Sequence, residues 1–242
     1  MKGLRGYVLV ASAAVLWGSA GVAVSAALAY GMGLLGMATL MTSIGGVMII
    51  VYAGREGFRR LRLDLMLFGA LAIAVFRSLY VFSVSINGVG VTASLLYTAP
   101  LLVAVVAPLT IREKPSLLDV MLAAVAVVGA YLASNPELQV ASITGFLVGI
   151  ALAGVYAVTI VAVKYFYSKE YKDKEIMAQA TATAVPILAV LTVLSSSKVI
   201  LNSVTTLAVL WGGLATVGIA TILYLEGMKV VRALDASVIA TL

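Results

Sequence analysis

Apolar runs of about 20 residues alternate along the chain with short clusters of charge or of glycine and proline, which is the rhythm of helices that cross a hydrocarbon layer. The breaks predict spans over residues 7–29, 32–54, 64–86, 91–112, 117–134, 143–166, 176–197 and 205–228, with a ninth run beginning near Ala233. Each complete run holds 18 to 24 residues. At about 1.5 Å of rise per residue that is enough to cross about 30 Å of hydrocarbon with modest tilt or thinning. Lys2 and Arg5 precede an apolar stretch in the manner of a signal peptide. That stretch is too long for one and seven more come after it, so it reads as an uncleaved first helix. The pattern predicts an all-α integral membrane protein, a helical bundle of eight full transmembrane helices plus a partial ninth.

Composition agrees with this picture. Of 242 residues, 63% are apolar and 11% charged, and the mean hydropathy is +1.14. A soluble domain of this length needs more polar residues to cover its surface. The net charge of +6 would point to nucleic acid in a soluble protein, but here the cations mark orientation. With the N-terminus cytoplasmic, 14 of the 16 Lys and Arg residues fall in inside segments, among them Arg55, Arg59, Arg60, Arg62, Lys169, Lys172 and Lys174. Lys198 alone lies outside and Arg77 lies within a span. That asymmetry predicts a multi-pass protein of the cytoplasmic membrane with its N-terminus inside, partnered by lipid and not by nucleic acid. The chain has no Cys and no His, which excludes disulfides, thiolate catalysis, imidazole metal sites and His-based proton relays.

An internal repeat is also legible. Gly6-Tyr7-Val8 through Leu16-Trp17-Gly18 aligns with Gly145-Phe146-Leu147 through Val155-Tyr156-Ala157 at an offset of 139, and Thr92 through Thr98 aligns with Asp235 through Thr241 at an offset of 143. The first unit, residues 1–134, holds five helices. Because five is odd, the second unit, 135–242, starts on the opposite side of the membrane, giving two inverted-topology repeats. Such pairs suit alternating access, with substrate held between the halves near the midplane.

Trp17-Gly18-Ser19, then Tyr97 and Pro100, then Arg112-Glu113-Lys114-Pro115 before a Gly/Ala-rich fifth helix, resemble the EamA-type branch of the drug/metabolite transporter superfamily. The resemblance covers essentially the whole chain. It implies ten helices in a five-plus-five arrangement, a central cavity lined mainly by helices 1, 3, 4, 6, 8 and 9, and peripheral helices 5 and 10. The chain departs from this at Leu242, where about 35 further residues would be expected, so the ninth helix reads as truncated and the second repeat as incomplete.

Arg77 is the sharpest single signal, because an Arg halfway through a span costs about 2.5 kcal/mol or more unless it meets water, a partner or an anion. It reads either as a pathway residue, with a carboxylate or phosphate as its ligand, or as a structural Arg capping carbonyls of a neighbouring helix. Glu226 is a candidate for ion coupling, or a snorkelling partner of Lys229. Direct pairing with Arg77 is not expected, because helical rise separates the two by ~15 Å in depth. Trp17, Tyr80, Tyr97, Tyr156 and Tyr224 are candidate cavity residues, with packing or interface anchoring as the alternative. Ser19 and Thr98, with Ser94 and Thr159, are candidates for the same space. Pro100 and Pro108 in the fourth span and Pro186 in the seventh are hinge candidates or static bends.

Small residues at Gly21-Ser25-Ala29 and Gly145-Gly149-Ala153 predict close helix contacts. No phosphate-cradling loop, metal cluster or catalytic acid pair occurs, so no cofactor, metal or enzymatic activity is expected. The residues and the resemblance together imply a secondary transporter, an exporter of small organic metabolites such as amino acids. Two alternatives stay open: a carrier of anionic or phosphorylated solutes, and a non-transporting lipid-handling or scaffold membrane protein.

Overall fold

The computed structural model describes residues 2–133 and 142–241, and among these it is entirely helical. Without water, a buried backbone must bond to itself, and helices do this within one segment. The elements are α1 (Lys2–Gly18), α2 (Ala20–Ala29), α3 (Leu34–Ala53), α4 (Leu63–Phe68), α5 (Ala74–Leu96), α6 (Ala99–Thr110), α7 (Leu117–Ala133), α8 (Ile143–Ser168), α9 (Asp173–Leu194), α10 (Ser203–Trp211), α11 (Ala220–Met228) and α12 (Ala233–Ile239). Ser142 caps α8 by accepting from the Gly145 amide at 3.0 Å, and Asn202 caps α10 by accepting from the Thr205 amide at 2.9 Å.

Six stretches among the described residues are long and apolar enough to cross a membrane: Leu4–Ala29, Leu34–Phe58, Leu63–Leu96, Ile143–Ser168, Asp173–Leu194 and Ser203–Met228. Ala99–Thr110 and Leu117–Gly129 are shorter apolar helices. The stretch Leu63–Leu96 is two helices joined across a kink and holds the third expected span with the start of the fourth, and the helix at the expected fifth span, Leu117–Ala133, is shorter than the six. Leu63–Leu96 bends at Gly88, whose φ of 70° and ψ of 175° are not helical, between the expected end of span 3 at residue 86 and the expected start of span 4 at residue 91. The bend is a reversal: Ser83 and Thr92 share a hydroxyl hydrogen bond of 2.9 Å, although nine residues of straight helix would put them about 13 Å apart. Beyond this reversal the helix is interrupted again, at Tyr97 and Thr98, before α6 begins. The fourth span is thus two short pieces. Pro100 does not sit in the interior of a helix as expected but in the first turn of α6, where its missing amide costs nothing. Pro186 lies within an unbroken α9. The expected unit boundary at residues 134–135 lies outside the described residues.

Two stretches are wound as π-helix: Gly69–Ile73 between α4 and α5, and Gly212–Ile219 between α10 and α11. In each, an amide bonds five residues back, Ala74 to Gly69 and Ala220 to Ala215.

Glycine lets the helices approach closely. Gly45 faces Val217 and the Gly213 carbonyl, Gly46 faces Thr181, and Gly69 lies against the Ala180 backbone. α3 packs on α9 and on the Gly212–Ile219 segment; α9 packs on α4 and on the Gly69–Ile73 segment; α1 lies on α11, and α8 on α5 and α6. The outer surface is apolar, with Leu109 81% and Val193 77% exposed. Such side chains suit acyl chains, and a large exposed apolar surface is foreign to a water-soluble monomer.

One end of the bundle is tied by charge. Arg232 donates to both oxygens of Asp119 at 3.1 Å and to Asp235 at 2.7 Å, while the Glu113 carboxylate accepts from the Ala233 amide at 2.9 Å. Hydrogen bonds to Asp235 and then Asp119 raise the Arg232 pKa, so the guanidinium stays charged. Solvent screens this half-exposed network. Arg232→Ala is accordingly expected to cost about 1 kcal/mol or less, read as a small drop in thermal unfolding temperature that shrinks further at high salt.

Candidate functional site

A cavity of about 180 Å³ lies in the middle of the bundle. Trp17 of α1, Phe76, Arg77 and Tyr80 of α5, Tyr97 at the α5–α6 break, Tyr156 and Thr159 of α8, and Thr221 and Tyr224 of α11 all line it. The aromatic rings form a continuous wall. Trp17 stands 4.9 Å from Tyr224 and 6.4 Å from Tyr156, and Phe76 stacks at 5.4 Å on Tyr156 and at 6.2 Å on Tyr80. The Trp17 indole donates to the Thr216 carbonyl at 2.8 Å, inside the second π-helical segment, so irregular winding supplies the acceptor that holds this ring in place.

Arg77 stands four residues past the first π-helical segment and is the sole Arg, Lys, Asp or Glu in the lining. Its Nε is buried and has no hydrogen-bond partner, and among the described residues no carboxylate pairs with it. Its guanidinium lies 5.8 Å from the Phe76 ring.

Three residues expected in the cavity, Ser19, Ser94 and Thr98, lie outside its lining, and the Ser94 hydroxyl donates to the Gly90 carbonyl within α5 at 2.9 Å. The Ser19 hydroxyl donates to the Leu16 carbonyl at 2.7 Å and accepts from Trp211 at 2.9 Å. The Thr98 hydroxyl donates to the Leu95 carbonyl at 2.7 Å. Ser19 and Thr98 each sit at a helix break, where the hydroxyl is drawn to a local carbonyl. Pro100 is buried in α6 and, like Pro186, is not part of the lining. Glu226 is also elsewhere: Lys229 donates to it at 2.9 Å and Tyr52 at 3.2 Å, and Lys229 reaches Asp173 at 3.0 Å. Phe76, Thr42 and Thr181 join the cavity without having been singled out in the sequence. Thr42 and Thr181 bring the second and seventh spans into a lining expected mainly from six others, because the close approach at Gly45 and Gly46 sets these helices deep in the bundle.

The cavity is asymmetric. Toward the basic loops its lining is buried: Phe68, Ile160, Val163, Ile176, Met177, Ala180 and Leu225. Toward the opposite end, Tyr80, Val89, Ala93, Leu96 and Tyr97 are half-buried and Gly18 is exposed. A seal lies behind the buried end. Gln179 donates to the Gly57 carbonyl at 2.9 Å and the Arg60 carbonyl at 2.8 Å, and accepts from the Arg62 amide at 2.9 Å. Arg62 lies 3.9 Å over the Tyr171 ring, Tyr171 donates to Asp64 at 2.7 Å, and Tyr167 donates to the Leu225 carbonyl at 2.8 Å. The bond to Asp64 raises the Tyr171 pKa, which keeps the phenol protonated and donating.

An apolar helical bundle enclosing a small cavity, with no metal-binding cluster among the described residues, defines a multi-pass membrane protein built to hold a solute. The chain belongs to the EamA-like transporter family, whose profile matches residues 4–135. Membership makes it a membrane transporter of small solutes. A solved protein crystal structure superposes with a TM-score of 0.81 over 99% of this chain and 83% of its own, at 20% identity, which is a likeness of fold. No curated protein matches the chain.

Proposed function

We propose that the protein is a secondary transporter that carries small organic metabolites by alternating access between two inverted repeats, residues 1–134 and 135–242. One observation carries this reading: the cavity is walled from both units, and the units repeat one another's irregularities around it. The π-helical segments begin at Gly69 and Gly212, 143 residues apart. At the same spacing, Tyr97 and Thr98 bond back to Ala93 and Leu95 as Ala240 and Thr241 bond back to Ala236 and Val238. Close contacts recur too. Gly6 packs on Val230 and Val231, and Gly145 packs on Ile86 and Asn87. Packing of α1 on α11 is matched by that of α8 on α5, as expected of units that exchange roles.

The sealed basic-loop end and half-exposed opposite end support an outward-facing state, with the N-terminus and basic loops cytoplasmic. The cavity lies below the usual volume for drug-sized ligands, about 300–1,000 Å³, which favours compact metabolites. Amino acids moved outward across the cytoplasmic membrane are what the family resemblance suggests. The test is a solute survey with the purified chain in liposomes, repeated with Ala93→Trp, which puts a bulky ring into the half-exposed end. At least one solute should enter faster than into protein-free liposomes, and the variant should abolish that uptake while eluting as a folded species. Uptake of no solute, or uptake indifferent to the plug, overturns the reading.

A further inference from the structure

The charge inventory of the cavity names a substrate class, an inference that rests on the transporter reading above. The lining holds one guanidinium and no Asp, Glu, Asn, Gln or His. An unpaired charge in this setting is costly, and among the described residues no carboxylate offsets it: the Nε proton is buried and without a hydrogen-bond partner. The four lining threonines are neutral and add no counter-charge, and the hydroxyls of Thr42 and Thr159 already donate to carbonyls of their own helices at 2.7 and 2.8 Å. The fork of Arg77 therefore awaits an acceptor, and a planar carboxylate matches it in shape and charge.

We infer that the cavity selects compact organic monoanions, a carboxylate on Arg77 with an apolar or aromatic body against Trp17, Phe76 and Tyr156. A zwitterionic amino acid would bring an ammonium group into a lining that has no carboxylate to receive it, beside a cation that repels it. A phosphate ester near pH 7 carries up to two charges where a single cation waits. A monoanion leaves the loaded cavity neutral.

The chain has two tryptophans, and only Trp17 lines the cavity, so Trp211→Phe leaves one indole to report occupancy. In that background, phenylpyruvate, phenylalanine, phenethylamine and phenyl phosphate share a ring and differ in charge. Phenylpyruvate is expected to change Trp17 fluorescence with an affinity at least about tenfold tighter than the other three, the scale of a charged hydrogen-bonded pair. Arg77→Gln should erase the preference, and Arg77→Lys should keep part of it in a protein of similar thermal stability. Equal or tighter binding of the zwitterion, amine or phosphate ester overturns the inference, as does no response to phenylpyruvate or a preference that survives Arg77→Gln. Uptake into liposomes separates the two readings. Phenylalanine uptake without anion preference sinks the monoanion class and leaves the carrier standing; tight phenylpyruvate binding with no uptake of any solute keeps the anion site and sinks the carrier.

Discussion

Gly69→Val is expected to leave no folded protein. A Cβ at position 69 would meet the Ala180 carbonyl oxygen and lie 2.7 Å from the Ala180 Cα and 2.8 Å from its carbonyl carbon. These are backbone atoms of α9, so no side-chain rotation relieves the clash, and one of the two spans must move. Overpacking of a tight core costs about 1–3 kcal/mol when side chains can yield. Backbone against backbone, at the point where α4, the π-helical turn and α9 meet, should exceed that range. Size-exclusion chromatography in detergent checks it: the variant should lose the monodisperse peak, whereas Gly154→Ala, where an added Cβ meets nothing within 4 Å, should keep it. A Gly69→Val protein that elutes and melts like the wild type would show that the contact is not the close one described.

Replacing Gln179 by Leu should unfasten the seal at the basic-loop end. Gln179 is 2% exposed, and its amide satisfies the Gly57 and Arg60 carbonyls and the Arg62 amide at once. Leucine fills a similar volume and satisfies none of them. Each abandoned buried group costs about 1–3 kcal/mol; the Arg60 and Arg62 groups are only partly buried and can regain water, so a loss of about 2–4 kcal/mol is expected. The chain has no native cysteine, so Ile176→Cys gives a single reporter at the sealed end of the cavity. In the Gln179→Leu background a maleimide should label it several-fold faster from the basic-loop side, alongside a lower unfolding temperature. Unchanged labelling would mean that the apolar layer of Phe68, Ile160 and Met177 closes that end unaided.

The membrane made much of the fold legible in advance. Lipid demands about 20 apolar residues per crossing whatever the neighbours are. The runs at 143–166 and 205–228 accordingly meet Ile143–Ser168 and Ser203–Met228 within two residues. Packing sets what hydropathy does not record. The reversal at Gly88 falls in the expected break between residues 86 and 91, where Asn87, Gly88 and Gly90 interrupt the apolar text, whereas the break at Tyr97 falls inside an expected span, and only Pro100, which leaves the Leu96 carbonyl without its helical partner, marked it. The π-helical segments carry no compositional sign at all. At the cavity, a charge in an apolar span exposed Arg77, and aromatics with a polar atom exposed Trp17 and the tyrosines. Phe76, Thr42 and Thr181 are ordinary span residues, recognisable only once helix rotation is known. Ser19 and Thr98 misled because a hydroxyl beside a helix break has a carbonyl close at hand.

The wide turn at Gly69–Ile73 also fixes the phase of the helix beyond it. Regular winding advances about 100° per residue, so the surplus residue stored there sets which way the remainder of α5 looks. Rewinding this turn as ordinary helix with every residue kept would swing Arg77 and Tyr80 about a quarter-circle off the cavity. A lesion silent in hydropathy and composition would then strand the guanidinium against its neighbours and empty the pocket of its one charge.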